Sequence, residues 1–466
     1  MRVHKLICAF FVLAFIVSCS DEMRPNETSA YGKIDRLTEA EAKVLFRMRN
    51  PDNRVSIDEA VEQANWVIDF LNGESSLKSG PNRRISSVSA LVSDNKPVAL
   101  KSSEFGDVEI PDTLAYVLNF EDSLGFAIIS ADTRIDEPVL GFTGSGSLID
   151  STDNPGIAIF LENLENYMLN SIIEAEQQKD SLIGGILEKL DIETSTKVTE
   201  EEREAAKKAA KEAAGIKTET IELILPLVPV EWNQDAPFND NLAYRNCPKT
   251  TNGRVWAGCV AVAVAQIMSR WKYPASIDGY SFNWDELNKN KRSYNFSDAS
   301  LKKQVANLMQ QIGKGVGMDY GCNGSGASTG DAINFLGKHG FSKGGLISYN
   351  STNAIASMKR REPLIVRGCS EKINHKFLGI TVYTSYNGCH AWVIDGYLKR
   401  RMTVGNTGFD FDYIHNNWGW NGKDDGYFQS GVFNSNQGPN IPSSGTKSGE
   451  ANNYQYDIEM ASYIRR

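Results

Sequence analysis

A thiol, an imidazole and a carboxamide stand at intervals that suit nucleophilic catalysis. Cys259 lies in Gly258-Cys259-Val260-Ala261-Val262-Ala263-Val264-Ala265-Gln266, a glycine and a cysteine followed by small apolar residues. This reads as a tight loop entering a buried helix. A thiol there has its thiolate stabilised by the unpaired amides of the helix N-terminus. On this stretch alone, a small buried core cysteine is the other reading. His390 opens the β-type run His390-Ala391-Trp392-Val393-Ile394-Asp395, and Asn417 follows in Asn416-Asn417-Trp418-Gly419-Trp420. A free Cys has a pKa near ~8.5, and a paired imidazolium can draw it to ~3–4. That shift corresponds to roughly 7 kcal/mol of preference for the ion pair. A third polar group then orients the ring. After residue 19 the histidines are His339, His375, His390 and His415. Of these, only His390 opens a strand near a Trp/Gly/Asn cluster. His415 is expected to point away as packing, and His339 and His375 read as surface or helix-end residues. Asp395 sits five positions along the strand from His390, on the opposite face, which argues against a Cys-His-Asp transferase.

These residues need two kinds of element to bring them together. The Cys259 segment, Ser300–Gln311 and Asp331–His339 read as helices. Leu346–Tyr349, Pro363–Arg367, Leu378–Thr384, His390–Leu398, Asp412–Asn416 and Tyr427–Phe428 read as strands. The predicted fold class is α+β: a helical lobe followed by a β lobe, with the site in the cleft between them. Upstream, Ser56 and Glu59 form a capping box for a helix over Ser56–Leu71. Leu114–Phe120, Phe126–Ser130 and Val139–Phe142 read as strands, and Ile157–Asn170 as an amphipathic helix. Thr199–Ala214 is a capped, charged helix without a wide apolar stripe, expected to be solvated.

At 466 residues, two to three domains are expected. The formal net charge of −9 argues against nucleic acid as a partner. Arg2, Lys5 and the apolar run Leu6–Val17 form a signal segment too short to span a bilayer comfortably. Ile16-Val17-Ser18-Cys19 resembles a lipobox, with Cys19 as the lipidated residue, and an ordinary signal peptide is the alternative. The expected domains are a signal peptide at 1–19, a polar tether at 20–54, an N-terminal domain at 55–180, a charged helical linker at 181–222 and a catalytic domain at 223–466. Arg203, Lys207, Lys208, Lys211 and Lys217 are candidate processing sites, unless the linker is a plain spacer. If Cys259 is free, then Cys247, Cys322, Cys369 and Cys389 allow three pairings in an exported protein. No CxxC pair suggests a metal site, and no cofactor is expected.

A cysteine with His and Asn about 130–150 residues downstream is the spacing of papain-type cysteine proteases. The Gly258–Pro274 stretch, Gly388–Gly396 and Asn417-Trp418-Gly419-Trp420 resemble the streptopain family of bacterial papain-like peptidases. So do Val316-Gly317-Met318-Asp319-Tyr320-Gly321 and Trp232-Asn233-Gln234 with Pro237-Phe238-Asn239. Cys389 departs from the family, which has glycine before the histidine. The resemblance implies a zymogen of a cysteine endopeptidase acting on proteins or peptides. Its 55–180 region would be an inhibitory propeptide that packs on the catalytic domain and disturbs its Cys/His geometry. It also implies Cys259 as nucleophile, His390 as acid and base, and Gln234 as oxyanion donor beside the Cys259 amide. Asn417 or Trp418 would serve as the group at the histidine, with Trp420 as packing. Met318, Asp319, Tyr320, Gly321, Ser325, Gly388 and Cys389 would border a substrate cleft that takes a bulky apolar side chain. A lipid-anchored protein at the outer membrane, cell surface or periplasm follows from Cys19. The rival reading is a non-catalytic surface binding or inhibitory protein that keeps the same fold.

Overall fold

The computed structural model describes residues 36–74, 82–92, 110–149, 151–192, several between 199 and 208, 217–370, 376–377, 380–382, 388–404, 406–434 and 458–466. The signal segment with Cys19, the residues His375, Lys207 and Lys211, and part of the charged linker lie outside them.

Helix α1 (Glu39–Arg47) starts at Thr38, whose hydroxyl accepts from the Glu41 amide while the Glu41 carboxylate accepts from the Thr38 amide. Ala42, Val44, Leu45 and Phe46 are buried. Glu41 pairs with Lys189 at 2.6 Å and Arg47 with Asp136 at 2.6 Å. Residues 36–54, expected as tether, therefore belong to the folded body; a short stripe of four apolar residues was enough to dock them. Helix α2 (Ile57–Glu74) carries the expected capping box, with Ser56 and Glu59 exchanging hydrogen bonds.

Strands β1 (Ile85–Val92), β2 (Thr113–Phe120), β3 (Phe126–Ser130) and β4 (Val139–Thr143) form an antiparallel meander. After β5 (Ser151–Thr152), the Asn154 side chain caps the Gly156 amide and Pro155 takes the first position of α3 (Pro155–Lys189). The helix runs well past the expected Asn170. Ile172, Ile173, Ala175, Ile183, Ile186 and Leu187 keep a buried face through Gly184-Gly185. Their burial outweighs the ~1 kcal/mol that each interior glycine costs. Within the charged linker, Ala206 is fully buried, so that helix is not wholly solvated.

The linker's end forms β6 (Lys217–Ile224), which pairs with a long strand of the following domain. That domain opens with helices: α4 (Cys259–Trp271), the short ribbon β7 (Ser276–Ile277) and β8 (Tyr280–Ser281), α5 (Trp284–Lys289), α6 (Ala299–Gly315) and α7 (Thr329–Lys338). Then follow β9 (Leu346–Ser348), α8 (Ser351–Lys359), β10 (Leu364–Ser370), β11 (Lys376–Phe377), β12 (Ile380–Val382), β13 (Gly388–Val404), β14 (Thr407–Asn417), β15 (Gly426–Gln429) and β16 (Glu459–Ala461). The expected helical lobe and β lobe are both present. α4 is the spine of the first, with Val260 through Ser269 all buried.

One sheet joins the two halves of the chain. Its order is β1-β2-β3-β4-β15-β14-β13-β10-β16-β9, with β6 also on β13. The seam is the β4–β15 pair, where Phe142 lies opposite Tyr427. Side chains are shared as well. Phe160 of α3 lies 4.7 Å from Phe428 and 5.6 Å from Phe433 between ring centroids, and Phe70 packs edge-on to Tyr427 at 5.7 Å. At the centre of the seam, Arg400 of β13 is fully buried, paired with Glu137 and stacked 4.3 Å over the Trp66 ring. Burial pushes the Glu137 carboxyl up from its ordinary range, against the pull of Arg400.

Candidate active site

Cys259 is the first residue of α4, entered through Gly258 at φ 93°. Glycine is required there twice over. The backbone is left-handed, and a Cβ would lie 2.6 Å from the Met318 Sδ and Cε. Cys259 is the free cysteine among those described, half-buried, while Cys247 pairs with Cys322 and Cys369 with Cys389. Its sulfur is placed to accept from the amides of Ala391, Val260 and Cys259 itself, yet burial outweighs these and raises the thiol pKa. α4 packs on β13, and Cys259 lies against the core that holds Ala391, the residue after His390.

His390 is 3 % exposed, and its Nε2 lies 2.8 Å from the Trp418 carbonyl. A carbonyl only accepts, so Nε2 carries the proton and Nδ1 keeps the lone pair of the neutral ring. Burial lowers the imidazole pKa to about 4. The ring stacks on Trp392 (6.1 Å, 12°) and meets Trp420 edge-on (6.2 Å, 90°). Trp420, expected as packing, is thus an indole against the histidine. Trp418 contributes its carbonyl, while its ring packs on Trp392 at 5.3 Å and on Phe428. Asn417 does not reach the imidazole: its amide donates to the Val230 carbonyl (2.9 Å) and accepts from the Gly419 amide (3.2 Å). The group that orients the ring is a backbone carbonyl, which no residue-type pattern reveals.

Gln234 is buried, and its carbonyl accepts from the Ala257 amide at 2.9 Å, two residues before the nucleophile. The glycine-rich loop is fixed beneath. Asp319 and Gly326 exchange backbone hydrogen bonds, and Ser325 Oγ donates to the Trp256 carbonyl (2.7 Å) while accepting from Gly321 (3.2 Å). Met318 therefore borders Cys259 through Gly258. Tyr320 instead turns its hydroxyl onto Gly313 of α6, where a Cβ would lie 1.9 Å away, and burial raises its pKa. Trp256 was missed in the sequence. It stacks on Trp420 (6.2 Å, 21°) and donates from Nε1 to the Cys322 carbonyl. Its place three residues before Cys259 was the available signal.

Gly388 and Cys389 lie on β13 opposite Ser370 and Cys369, and Gly368 is opposite His390. The disulfide explains why a cysteine stands before the histidine. Asp395 pairs with His415 at 2.7 Å, not with His390, as the strand face requires. His339 ends α7, with Nδ1 2.9 Å from the Phe335 carbonyl. Of the candidate processing residues, Lys217 is paired with Thr403 in the sheet, and Arg203 and Lys208 are helical.

The N-terminal half reaches the histidine from behind. Gly156, in the first turn of α3, faces the Trp418 indole so closely that a Cβ would lie 2.1 Å from it. Ile159 Cγ2 would lie 3.1 Å from a Cβ at Gly368. Asn154 Nδ2 lies 3.3 Å from Asp424 Oδ2, and the Trp418 Nε1 donates to the Asp424 carbonyl at 2.9 Å.

Residues 232–428 match the sequence profile of the Peptidase C10 family, and residues 54–168 match that of the Spi protease inhibitor. Streptopain of Streptococcus pyogenes is 25% identical over 380 residues, covering 74% of this chain and 80% of the relative. Among solved structures, a prointerpain A fragment from Prevotella intermedia is 21% identical, covering 76% of this chain and 96% of its own, with a TM-score of 0.45. The active interpain A cysteine protease of the same organism is 23% identical, covering 52% of this chain and 95% of its own, with a TM-score of 0.34. The half that bears Cys259 carries the peptidase match and the half that packs behind His390 carries the inhibitor match: residues 232–428 are a C10-type peptidase region, and the chain is a cysteine endopeptidase zymogen with an inhibitor-like N-terminal part.

Proposed function

We propose that this chain is exported, anchored through a lipid on Cys19, and hydrolyses peptide bonds with Cys259 and His390 once its N-terminal half is released. The observation that supports the catalytic reading is a free thiol at the start of α4, packed against the core that holds Ala391, the residue after His390. The His390 Nδ1 takes the thiol proton. The thiolate attacks the scissile carbonyl, and the oxyanion is held by the Gln234 amide and the Cys259 N–H. The imidazolium then protonates the leaving amine, and neutral His390 activates water to hydrolyse the thioester, which regenerates the thiol. Met318, Asp319, Gly321 and Ser325 border the pocket for an apolar side chain, and Gly388 and Cys389 border the histidine side.

In the intact zymogen, burial favours the neutral form of both partners, thiol up and imidazole down. That is the opposite of what an ion pair needs. Release of the N-terminal half, by cleavage in the 181–222 linker at a site such as Arg203, Lys207, Lys208, Lys211 or Lys217, hydrates the histidine side and permits the pair. For the anchor, no helix among the described residues is long and apolar enough to cross a membrane. The test is Cys259→Ala in the processed protein: peptide hydrolysis and labelling by an epoxide thiol-protease inhibitor both disappear. Hydrolysis that survives this change contradicts the reading.

A further inference from the structure

The strip of chain that leads into the catalytic domain is hydrogen-bonded to Asp395, Asn417 and Gln266. Its start lies across β13, where Gly396 makes room: a Cβ there would lie 3.0 Å from the Ile224 carbonyl and 2.8 Å from the His415 Cβ. Leu227 N–H donates to the Asp395 carbonyl (2.8 Å) and Val228 N–H to Asp395 Oδ2 (3.0 Å). Asp395 is fully buried, and its other oxygen faces His415 Nδ1 at 2.7 Å. Val228, Val230 and Trp232 alternate into the core of the helical lobe. The Val230 carbonyl accepts from Asn417, and Trp232 N–H donates to Gln266 Oε1 on α4 at 3.1 Å. The strip ends at Gln234.

Asn417 links this strip to the histidine. Its Oδ1 accepts from the Gly419 N–H, the amide of the same peptide unit whose carbonyl accepts from His390. An acceptor bonded to the N–H end of a peptide unit polarises the unit and strengthens its carbonyl as an acceptor, and a buried chain of such bonds fixes its members together. Four hydrogen bonds thus run from Asp395 to His390: Val228 N–H to Asp395, Asn417 to Val230, Gly419 N–H to Asn417, and His390 to Trp418.

We propose that the strip Leu227–Gln234 is a working part of the active site and that Asp395, which anchors its start, is a positioning residue for His390. This rests on the peptidase reading above. Asp395 touches neither sulfur nor imidazole and acts only through the strip. Processing must therefore cut before Leu227, and the mature enzyme keeps the whole strip.

The test uses the full chain, processed, with a peptide substrate and four variants: Asp395→Asn, Asn417→Ala, the double variant, and Cys259→Ala as the control on the peptidase reading. Asp395→Asn is expected to lower kcat ~10-fold with KM nearly unchanged. Asn417→Ala is expected to lower it further, and the double variant to be no slower than Asn417→Ala, because both changes break one chain of bonds. Additive losses, or unchanged kcat in Asp395→Asn, overturn the proposal while leaving Cys259 as nucleophile. Hydrolysis by Cys259→Ala overturns the peptidase reading itself. Should Asp395→Asn fail to fold, His415→Phe, which removes the donor to Asp395 Oδ1, takes its place with the same expected non-additivity. N-terminal sequencing of the processed enzyme gives a second arm: a start at or before Leu227 is expected, and a fully active chain starting after Val230 contradicts the proposal.

Discussion

The two halves of the catalytic pair are held by different parts of the molecule. Cys259 rests on groups of its own domain: Gly258, Met318 and the amide of Ala391. His390 is backed by Trp392 and held by Trp418, and both indoles share a core with Ile157, Ile159 and Phe160 of the N-terminal half. On the proposed reading, the thiol is positioned by its own domain in the zymogen, while the environment of the base depends on a segment that is to be removed. Inhibition of this kind needs no plug on the sulfur. It is enough to keep the imidazole dry and neutral, and the continuous sheet gives the N-terminal half the grip to do so.

The comparison is broken most strongly at the seam. Glu137→Ala leaves Arg400 buried without its partner, and losses of this kind cost about 3–5 kcal/mol. The intact zymogen is expected to unfold at lower temperature and to release its N-terminal half faster in limited proteolysis. The processed enzyme, which lacks Glu137, keeps its kcat. On the thiol side, Gln234→Ala removes the proposed oxyanion donor and is expected to lower kcat ~10²–10³-fold, with zymogen stability scarcely changed. Peptide kinetics and thermal unfolding of the two variants should thus show opposite patterns.

Acidification probes the histidine side alone. The folded pKa of His390, about 4, lies below the ordinary value of 6.5. Between these values the unfolded chain binds the extra proton, so zymogen stability falls as pH drops from about 6.5 to about 4, by roughly 3 kcal/mol in all. Thermal unfolding of the intact chain against His390→Gln isolates this slope, which the variant lacks. The smallest effect comes from Gly156→Val. The added side chain meets the Trp418 indole, and overpacking costs about 1–3 kcal/mol. Slightly faster activation with normal activity after processing is expected, measured as the time course of peptide hydrolysis.

The sequence marked Cys259 and His390 as the candidate pair, because a Gly-Cys pair before an apolar helix and a histidine at a strand start leave a pattern. The lobes followed from periodicity. The limits of α3 did not: the expected end is Asn170, and only tertiary burial of Ile172, Ile173, Ile183, Ile186 and Leu187 carries the helix on to Lys189. Nor did β6, whose Lys-Thr-Glu-Thr-Ile-Glu run reads as linker until β13 supplies its partner. The group on the histidine was illegible for a different reason. Any residue has a carbonyl, so Asn417 drew attention as a carboxamide at papain-type spacing, while the bond is made by the backbone of Trp418. Trp420 and Trp256 lie apart in the chain, and their stack appears only once the lobes meet.

The most direct test is the pH dependence of Cys259 alkylation in the intact chain and after the linker is cut. The intact chain is expected to react slowly, with a single rise at alkaline pH as a neutral thiol ionises. The cut chain is expected to react rapidly, with a plateau reaching below pH 6 where the thiolate–imidazolium pair forms. Superimposable profiles for the two forms would contradict the claim that the N-terminal half inhibits by holding the pair neutral.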